Sequence, residues 1–420
     1  MNAHIKYVRM LIVVAIAAAG LAATFNFLID PYRLFGVGTW VGINALKPAS
    51  AERMRVVKPY LAERFDAATV IGGNSRPELG LDTSSRCWPA SHQPVFNAGI
   101  AGASFRMQAL LAMHASGTTA TRILHGVDFL DFIRPTDASP TQKSSEPATE
   151  SAHERRLIVP GQHFRDWDYW TQRTGDQLKA LFSLTTLADS VHTIAAQRNP
   201  NASTRTESGF NPANDYLDIV RTEGQHVLFA QKNRELASRL SREYRLDPDD
   251  GTDGDGFTAL RRLIDWSKSR GIELTLFINP YHAEYLEGLE RSGQWQLFEQ
   301  WKQLLTDIAE GGGVALWDFN TLDAYAAETP PAPGDRRTIL RWFWEPAHYR
   351  SSLGDVMLER MLETTCGAAA DSASFGAQLS SHTLLDHLAS LRQQMQSRME
   401  DRGSTLIRDE SRQKQQPATR

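Results

Sequence analysis

Five short apolar runs, separated by segments with helical periodicity, constrain the fold of this chain most. The runs cover 67–73, 94–96, 122–127, 272–278 and 314–317, and helical patterns lie at 104–116, 258–270 and 294–310. Strands that alternate with helices in this way predict a parallel sheet with helices on both faces. The runs lack strict apolar/polar alternation, as expected of strands buried on both sides. The expected fold class is therefore α/β.

This alternation is interrupted between 132 and 256. A polar segment at 135–150 predicts a loop, and helical patterns follow at 175–197 and 225–244. We interpret the interruption as a helical insertion at the carboxyl edge of the sheet, where it would cap a pocket. The acidic run at 247–255 lacks the bidentate Glu of a calcium loop, so we interpret it as a solvated linker.

The N-terminus carries an apolar segment, 7–28, with roughly the twenty residues that a membrane-spanning helix needs. Lys6 and Arg9 lie at its N-terminal end, which predicts a cytoplasmic N-terminus and a main domain on the other side. A signal peptide cleaved near Ala22-Ala23 is the alternative, although the segment is longer than a typical signal-peptide core. We expect a single-pass anchor in a bacterial inner membrane and a periplasmic domain.

These patterns divide the chain into four parts. Residues 1–30 are expected to form a cytoplasmic tip and the anchor, and 31–66 a juxtamembrane segment with a first helix. The α/β domain is expected to occupy 67–366, with the insertion at 132–256. A polar tail, 367–420, contains an amphipathic helical pattern at about 384–399.

Charge and cysteine content restrict the partners and the compartment. The formal net charge is −4 and no basic stripe with interleaved aromatics occurs, which excludes nucleic acid as a partner. Only Cys87 and Cys366 are present. In an oxidising compartment they can form one bridge, and two unpaired thiols are the alternative, because pairing depends on a Cα separation that the sequence does not give.

Ser75 follows the first apolar run and is the candidate nucleophile. Open α/β sheets bind ligands at the carboxyl ends of their strands, and Ser75 falls at such an end. Gly72 and Gly73 allow the backbone to turn sharply before it. The alternative interpretation is a loop serine that caps the next helix.

A serine hydroxyl needs a general base, and His348 is the best candidate among twelve histidines. Glu345 precedes it by three residues and is close enough to accept the Nδ1 hydrogen and fix the tautomer. Pro346 argues against the helical Glu-x-x-His arrangement of a metal site, and neither a metal nor a cofactor is expected.

Further residues after the apolar runs are candidates for oxyanion stabilisation or substrate binding. Asn97 could donate through its amide, and Gly99 or Gly102 through the backbone N–H. Asp128 and Asn279 follow later runs on the same predicted edge, and we favour a pocket role for both. The aromatic run 342–344 could form a sugar-stacking wall or belong to the core.

Taken together, Gly73-Asn74-Ser75, Asn97-Ala98-Gly99 with Gly102, and Glu345-x-x-His348 resemble, in the same order, the blocks of the SGNH (GDSL-like) hydrolase superfamily. The resemblance spans 70–359 and implies a three-layer α/β/α fold. It also implies a nucleophilic Ser75, a His348 base oriented by Glu345, and oxyanion donors from a Gly and an Asn.

The anchor, the Asp-Pro-Tyr after it and the Gly-Asn-Ser-Arg motif are similar to the anchored SGNH-like proteins of bacterial envelope polysaccharide systems. These include alginate O-acetylation factors and the teichoic-acid D-alanylation protein. The resemblance implies a serine O-acyltransferase or carbohydrate esterase that acts on an envelope glycan. It also implies partnership with a membrane-bound acyltransferase or a polysaccharide synthase complex.

The sequence departs from the superfamily pattern in the third block, where Gly126-Val127-Asp128-Phe129 lacks the usual Asn. Glu345 also stands where the closing motif has Asp. A domain that kept the fold and lost the chemistry, as a non-catalytic glycan-binding or assembly subunit of an exopolysaccharide system, is therefore the alternative function.

Overall fold

The computed structural model describes residues 2–137, 152–159, 166–247, 256–369 and 374–415, with side chains described between 3 and 401. Its centre is a sheet of six strands: β1 (Thr69–Gly72), β2 (Val95–Asn97), β3 (Arg122–Val127), β6 (Glu273–Ile278), β7 (Ala315–Asp318) and β10 (Ala377–Leu379). Their order across the sheet is β10-β7-β6-β3-β1-β2. Five strands are parallel and β10 is antiparallel to β7. The mixed α/β class and the mostly parallel sheet are as predicted.

Both faces of the sheet are covered, which explains the uninterrupted apolar runs. In β1, Val70 belongs to one buried cluster and the adjacent Ile71 to the other, because successive side chains point to opposite faces. The first cluster contains the inner faces of α5 (Phe105–Ser116), α10 (Gly256–Ser269) and α12 (Trp295–Gly312). The second contains α13 (Ser351–Met361).

The insertion carries four described helices: α6 (Asp166–Phe182), α7 (Leu184–Ala196), α8 (Asn214–Glu223) and α9 (Gln225–Arg239). The single helical stretch predicted at 175–197 is wrong, because Ser183 ends it. The Ser183 side chain accepts a hydrogen bond from Thr186 N–H and caps a new helix. A two-stranded sheet of β4 (Ile133–Pro135) and β5 (Tyr244–Leu246) brackets the insertion. Most of the predicted 135–150 loop and all but Asp247 of the acidic run lie outside the described residues.

The described fold also includes α1 (Asn2–Ile29), α2 (Pro48–Glu52), α3 (Met54–Ala62) and α14 (Leu384–Gln415). Within the described ranges, α1 is the one helix long and apolar enough to cross a membrane. The sequence predicts a polar tail after 366, but Ala377–Leu379 extends the sheet and α14 packs on α12. Arg392 of α14 pairs with Glu299 there.

Cys87 and Cys366 form a disulfide with a Cα–Cα distance of 5.1 Å. Of the two alternatives left open by the sequence, the structure therefore has the bridge. It joins the segment that follows the short helix α4 (Ser75–Gly80) to the segment that follows α13. A bridge of this kind persists in oxidising compartments.

Candidate active site

Ser75 is the first residue of α4 and lies directly beyond the carboxyl end of β1. The turn between them passes through Gly73, whose φ of +130° disfavours any residue with a side chain. A Cβ there would also approach Pro77 Cγ to 2.6 Å. Asn74 caps the helix, since its Oδ1 accepts a hydrogen bond from Arg76 N–H at 3.0 Å. Ser75 is half-buried, although Asn74 and Arg76 are buried.

Ser75 Oγ and His348 Nε2 lie 2.7 Å apart, although the residues are 273 positions apart in sequence. This distance is within hydrogen-bond range, so Nε2 can accept the hydroxyl proton when the imidazole carries its hydrogen on Nδ1. The geometry is that of a nucleophile and its general base.

Glu345 and His348 face each other across a short hairpin. Strands β8 (Phe343–Glu345) and β9 (His348–Tyr349) pair with Glu345 opposite His348, and Pro346-Ala347 forms the turn. Glu345 Oε1 hydrogen-bonds His348 Nδ1, and Oε2 accepts from Ala347 N–H at 2.7 Å. Both carboxylate oxygens are therefore engaged, and His348 is held with Nδ1 as its donor.

The Glu345 carboxylate is buried, with 2% of its surface exposed. Burial favours the neutral acid, but the charge and hydrogen bond of His348 outweigh it, so the pKa of Glu345 lies below its ordinary value. Lys232 contributes in the same direction. Glu345 is thus ionised at neutral pH and can stabilise an imidazolium on His348.

Ser75 and His348 open into a cavity of about 200 Å³. Helix α9 of the insertion lies over it and contributes Lys232, Glu235, Leu236 and Arg239. Lys232 Nζ lies 2.7 Å from the Glu235 carboxylate. A helix of the predicted insertion therefore forms part of the cavity wall.

The floor of the cavity is an ionic cluster around Arg76. Its guanidinium pairs with Asp128, and its Cζ lies 5.0 Å from the ring centre of Tyr281. Asp131 also lines the cavity and accepts a hydrogen bond from Gln108 Nε2 at 3.0 Å. Burial and the adjacent Asp128 charge raise the pKa of Asp131 to about 7. Asp128 therefore lies in the pocket, where it orients the residue that follows Ser75.

Asn97 does not line the cavity, and its side-chain amide is used in hydrogen bonds that stabilise the fold. The two Nδ2 hydrogens are donated to Pro77 O at 2.8 Å and Leu81 O at 3.0 Å, and Oδ1 accepts from Gly99 N–H. Neither Asn97 Nδ2 nor Gly99 N–H has a hydrogen left for an oxyanion. The expectation that they stabilise a developing charge is not supported by this geometry.

Gly102 lines the cavity together with Ser75 and Asn74. Ser75 N–H belongs to the first turn of α4, where backbone donors have no acceptor within the helix. Among the described residues, none accepts a hydrogen bond from Gly102 N–H or from the Asn74 amide group. These three groups are therefore the candidate oxyanion donors at the cavity, and Asn97 is not among them.

Asn279 and the aromatic run 342–344 belong to the interior. Asn279 is fully buried, donates to Val127 O at 3.0 Å and accepts from Tyr349 Oη–H at 3.3 Å. It fixes the strand ends behind the triad and does not reach the cavity. Trp342, Phe343 and Trp344 are all buried, so they support the hairpin and form no exposed wall.

Several cavity residues had no sequence signal. Lys232, Glu235 and Arg239 come from an insertion helix far from any motif, and Tyr285 comes from α11 (Ala283–Arg291). Within the described part of the chain, no group of three His, Cys, Asp or Glu residues is arranged to hold a metal ion.

Ser75 and His348, with Glu345 bonded to the far side of the imidazole, share one cavity with three candidate backbone or amide donors, and this arrangement is suited to acyl transfer. Comparison with protein-family models, with curated proteins and with solved structures found no match to this chain.

Proposed function

We propose that this chain is a membrane-anchored, SGNH-like serine O-acyltransferase or carbohydrate esterase that acts on an extracytoplasmic envelope glycan. The observation that carries the proposal is the 2.7 Å contact between Ser75 Oγ and His348 Nε2, with Glu345 bonded to Nδ1. The order of these residues along the chain agrees with the resemblance to the SGNH superfamily.

In the proposed reaction, Ser75 Oγ attacks the carbonyl carbon of an acyl ester and its proton passes to His348 Nε2. The tetrahedral intermediate collapses when the imidazolium returns that proton to the leaving oxygen, and an acyl-Ser75 ester remains. A sugar hydroxyl or water then attacks the ester, with His348 again as base. Transfer and hydrolysis differ only in this second acceptor.

Negative charge on the carbonyl oxygen would be met by Ser75 N–H, Gly102 N–H and the Asn74 amide. Removal of one donor of this kind costs on the order of 3 kcal/mol in the transition state. Lys232 and Arg239 add positive charge at the cavity rim. We propose that a glycan chain reaches Ser75 beneath α9.

The proposed compartment is the periplasm, with α1 in the inner membrane and the N-terminus in the cytoplasm. The Cys87–Cys366 bridge supports an oxidising environment, and Lys6 and Arg9 support this orientation of α1. A membrane-bound acyltransferase or a polysaccharide synthase complex is the proposed partner.

Incubation of the full-length protein in detergent with p-nitrophenyl acetate tests the chemistry. We expect release of p-nitrophenol and an acetyl adduct on Ser75 in mass spectra of acid-quenched samples. Ser75→Ala should abolish both, whereas Ser269→Ala, a matched change at the end of α10, should preserve both. Wild-type turnover in Ser75→Ala would refute the assignment.

A non-catalytic glycan-binding subunit is the second candidate, and two observations favour it. The third block lacks its Asn, and the Asn97 amide is fully used within the fold. Glycan binding that survives both Ser75→Ala and His348→Ala, without any adduct on the wild type, would support this second function.

A further inference from the structure

A group of large apolar side chains is exposed around the C-terminal end of α1, and we call it the juxtamembrane apolar face. Val41 has 95% of its surface exposed and Leu184 has 82%. Monomeric soluble proteins rarely leave contiguous apolar patches of this kind uncovered. The other members are Phe27, Leu28, Trp40, Ile43, Phe182 and Val191.

Hydrogen bonds place these side chains at the same height along α1. Asn26 donates to Leu181 O at 2.9 Å and accepts from Ser190 Oγ–H at 2.9 Å, which holds the α6–α7 turn against the helix end. Asn44 accepts from Trp40 N–H at 2.7 Å and donates to Leu28 O at 3.4 Å. Asn26 and Leu28 are about 3 Å apart along the helix axis. The face is therefore continuous with the end of α1.

The junction between α1 and the domain is held by a set of hydrogen bonds. The Asp30 carboxylate accepts hydrogen bonds from Leu34 N–H at 2.8 Å and Gly36 N–H at 3.0 Å. Lys47, with 1% of its surface exposed, donates to Ile29 O at 2.8 Å and to Asp30 O at 2.7 Å. These contacts fix the angle at which the helix leaves the domain.

The expected depth of α1 places the face at a membrane boundary. Residues 3–20 of the helix are exposed on all sides, whereas its last residues pack on α6 and α7. A hydrocarbon core takes about twenty helical residues, so a span that starts at Arg9 ends near Leu28. The exposed face begins at that level, with Trp40 among its members, and Trp prefers the interfacial region.

We infer that the juxtamembrane apolar face lies in the phospholipid interface of the bilayer that α1 crosses, so that the domain is seated on the membrane surface. The inference rests on the proposed membrane span and not on chemistry at Ser75. Helix α7 suits this position, because Leu184 and Val191 are exposed on its surface. Asp189, the one carboxylate of α7, is paired with Tyr32 and Arg53.

Site-directed fluorescence tests the inference on the full-length protein. Both native cysteines are in the disulfide, so Val41→Cys and Leu184→Cys each introduce a single thiol for an environment-sensitive fluorophore. Leu385→Cys is the matched control. Leu385 is 70% exposed on α14, which packs on α12, and neither helix contributes to the juxtamembrane apolar face.

Labelled proteins are reconstituted into phosphatidylethanolamine–phosphatidylglycerol liposomes and quenched with doxyl-labelled lipid or aqueous iodide. We expect labels at 41 and 184 to be quenched several-fold more by doxyl lipid, and several-fold less by iodide, than the label at 385. Equal iodide quenching at all three positions would overturn the inference. Protection from iodide without quenching by doxyl lipid would mean that protein covers the face, and would also overturn it.

Two controls separate this result from the proposed function. The labels are read again in the Ser75→Ala background, where the same quenching is expected whether or not the protein transfers acyl groups. Alkaline carbonate extraction tests whether α1 spans the bilayer. Release of the protein into the soluble fraction would remove the basis of the inference and overturn it, and it would leave the assay of Ser75 chemistry intact.

Discussion

Glu345→Gln removes the charge behind His348 at almost constant size, and the structure predicts which way the new amide faces. Glu345 Oε2 accepts a hydrogen bond from Ala347 N–H at 2.7 Å, and Oε1 bonds His348 Nδ1. Because Ala347 N–H can only donate, the glutamine carbonyl oxygen must take the place of Oε2. The glutamine NH₂ group then faces His348 Nδ1.

An NH₂ group can only donate, so Nδ1 must become the acceptor and the imidazole hydrogen moves to Nε2. A protonated Nε2 cannot accept the Ser75 proton across the 2.7 Å contact. In the opposite orientation the glutamine NH₂ group would face Ala347 N–H, and both groups are donors. The missing hydrogen bond would cost about 1–3 kcal/mol in stability. The corresponding change in a serine protease triad lowers kcat about 10⁴-fold, and we expect a loss of this order here.

The assay is hydrolysis of p-nitrophenyl acetate by the full-length variant in detergent, with circular dichroism to verify folding. Glu345→Asp is the control, since it keeps the charge and shortens the side chain, and it should lose less activity than Glu345→Gln. A Glu345→Gln variant with kcat within about tenfold of wild type, which is only about 1.4 kcal/mol, would refute the tautomer reasoning.

Three further predictions test the surroundings of the site. Asn74→Ala should lower kcat by about 10²-fold through loss of an oxyanion donor. Asn97→Ala should lower Tm and leave the kcat of the folded protein near wild type. Equal losses of kcat in the two variants would contradict the choice of Asn74 over Asn97 as the donor. Glu78→Gln leaves the buried Lys58 amine, 2.8 Å away, without its carboxylate. We expect urea denaturation to show a loss of about 3–5 kcal/mol in the free energy of unfolding, and a loss under about 1 kcal/mol would count against it. Asp131 has a pKa raised from 3.8 to about 7, so between these pH values the folded state holds a proton that the unfolded chain has released. The free energy of unfolding should therefore fall as the pH rises from about 4 to about 7. Thermal unfolding across pH should show a shallower decline in Asp131→Asn, and an unchanged pH dependence would contradict the shift.

The sheet was predictable because parallel strands that are buried on both faces occur in the sequence as short apolar runs. The predicted run 122–127 coincides with β3, and the other four runs overlap β1, β2, β6 and β7. Parallel pairing then places the residues after each strand at one edge, which is why Ser75 and Asp128 could be assigned to the site together. The short strand β10 was not predicted, because three residues in a polar context carry little periodicity.

Side-chain roles were harder to predict than positions. Asn97 and Asn74 both lie next to a strand end, and only the carbonyl groups of Pro77 and Leu81, which consume the Asn97 amide, distinguish them. Pro77 lies in α4 and Leu81 directly follows it, and a sequence does not show how closely this segment approaches the turn. Arg239 reaches the cavity because of how α9 docks, which local periodicity does not encode.

The disulfide also changes what a single proteolytic cut can do. Cys87 and Cys366 are 279 positions apart, with Ser75 before the enclosed segment and His348 inside it. One cut between Cys87 and His348 therefore yields two polypeptides, one with the nucleophile and the other with the base, that stay covalently joined. A nicked protein would migrate as one species without reductant, and reduction would make the pairing of Ser75 with His348 depend on non-covalent contacts between the two pieces.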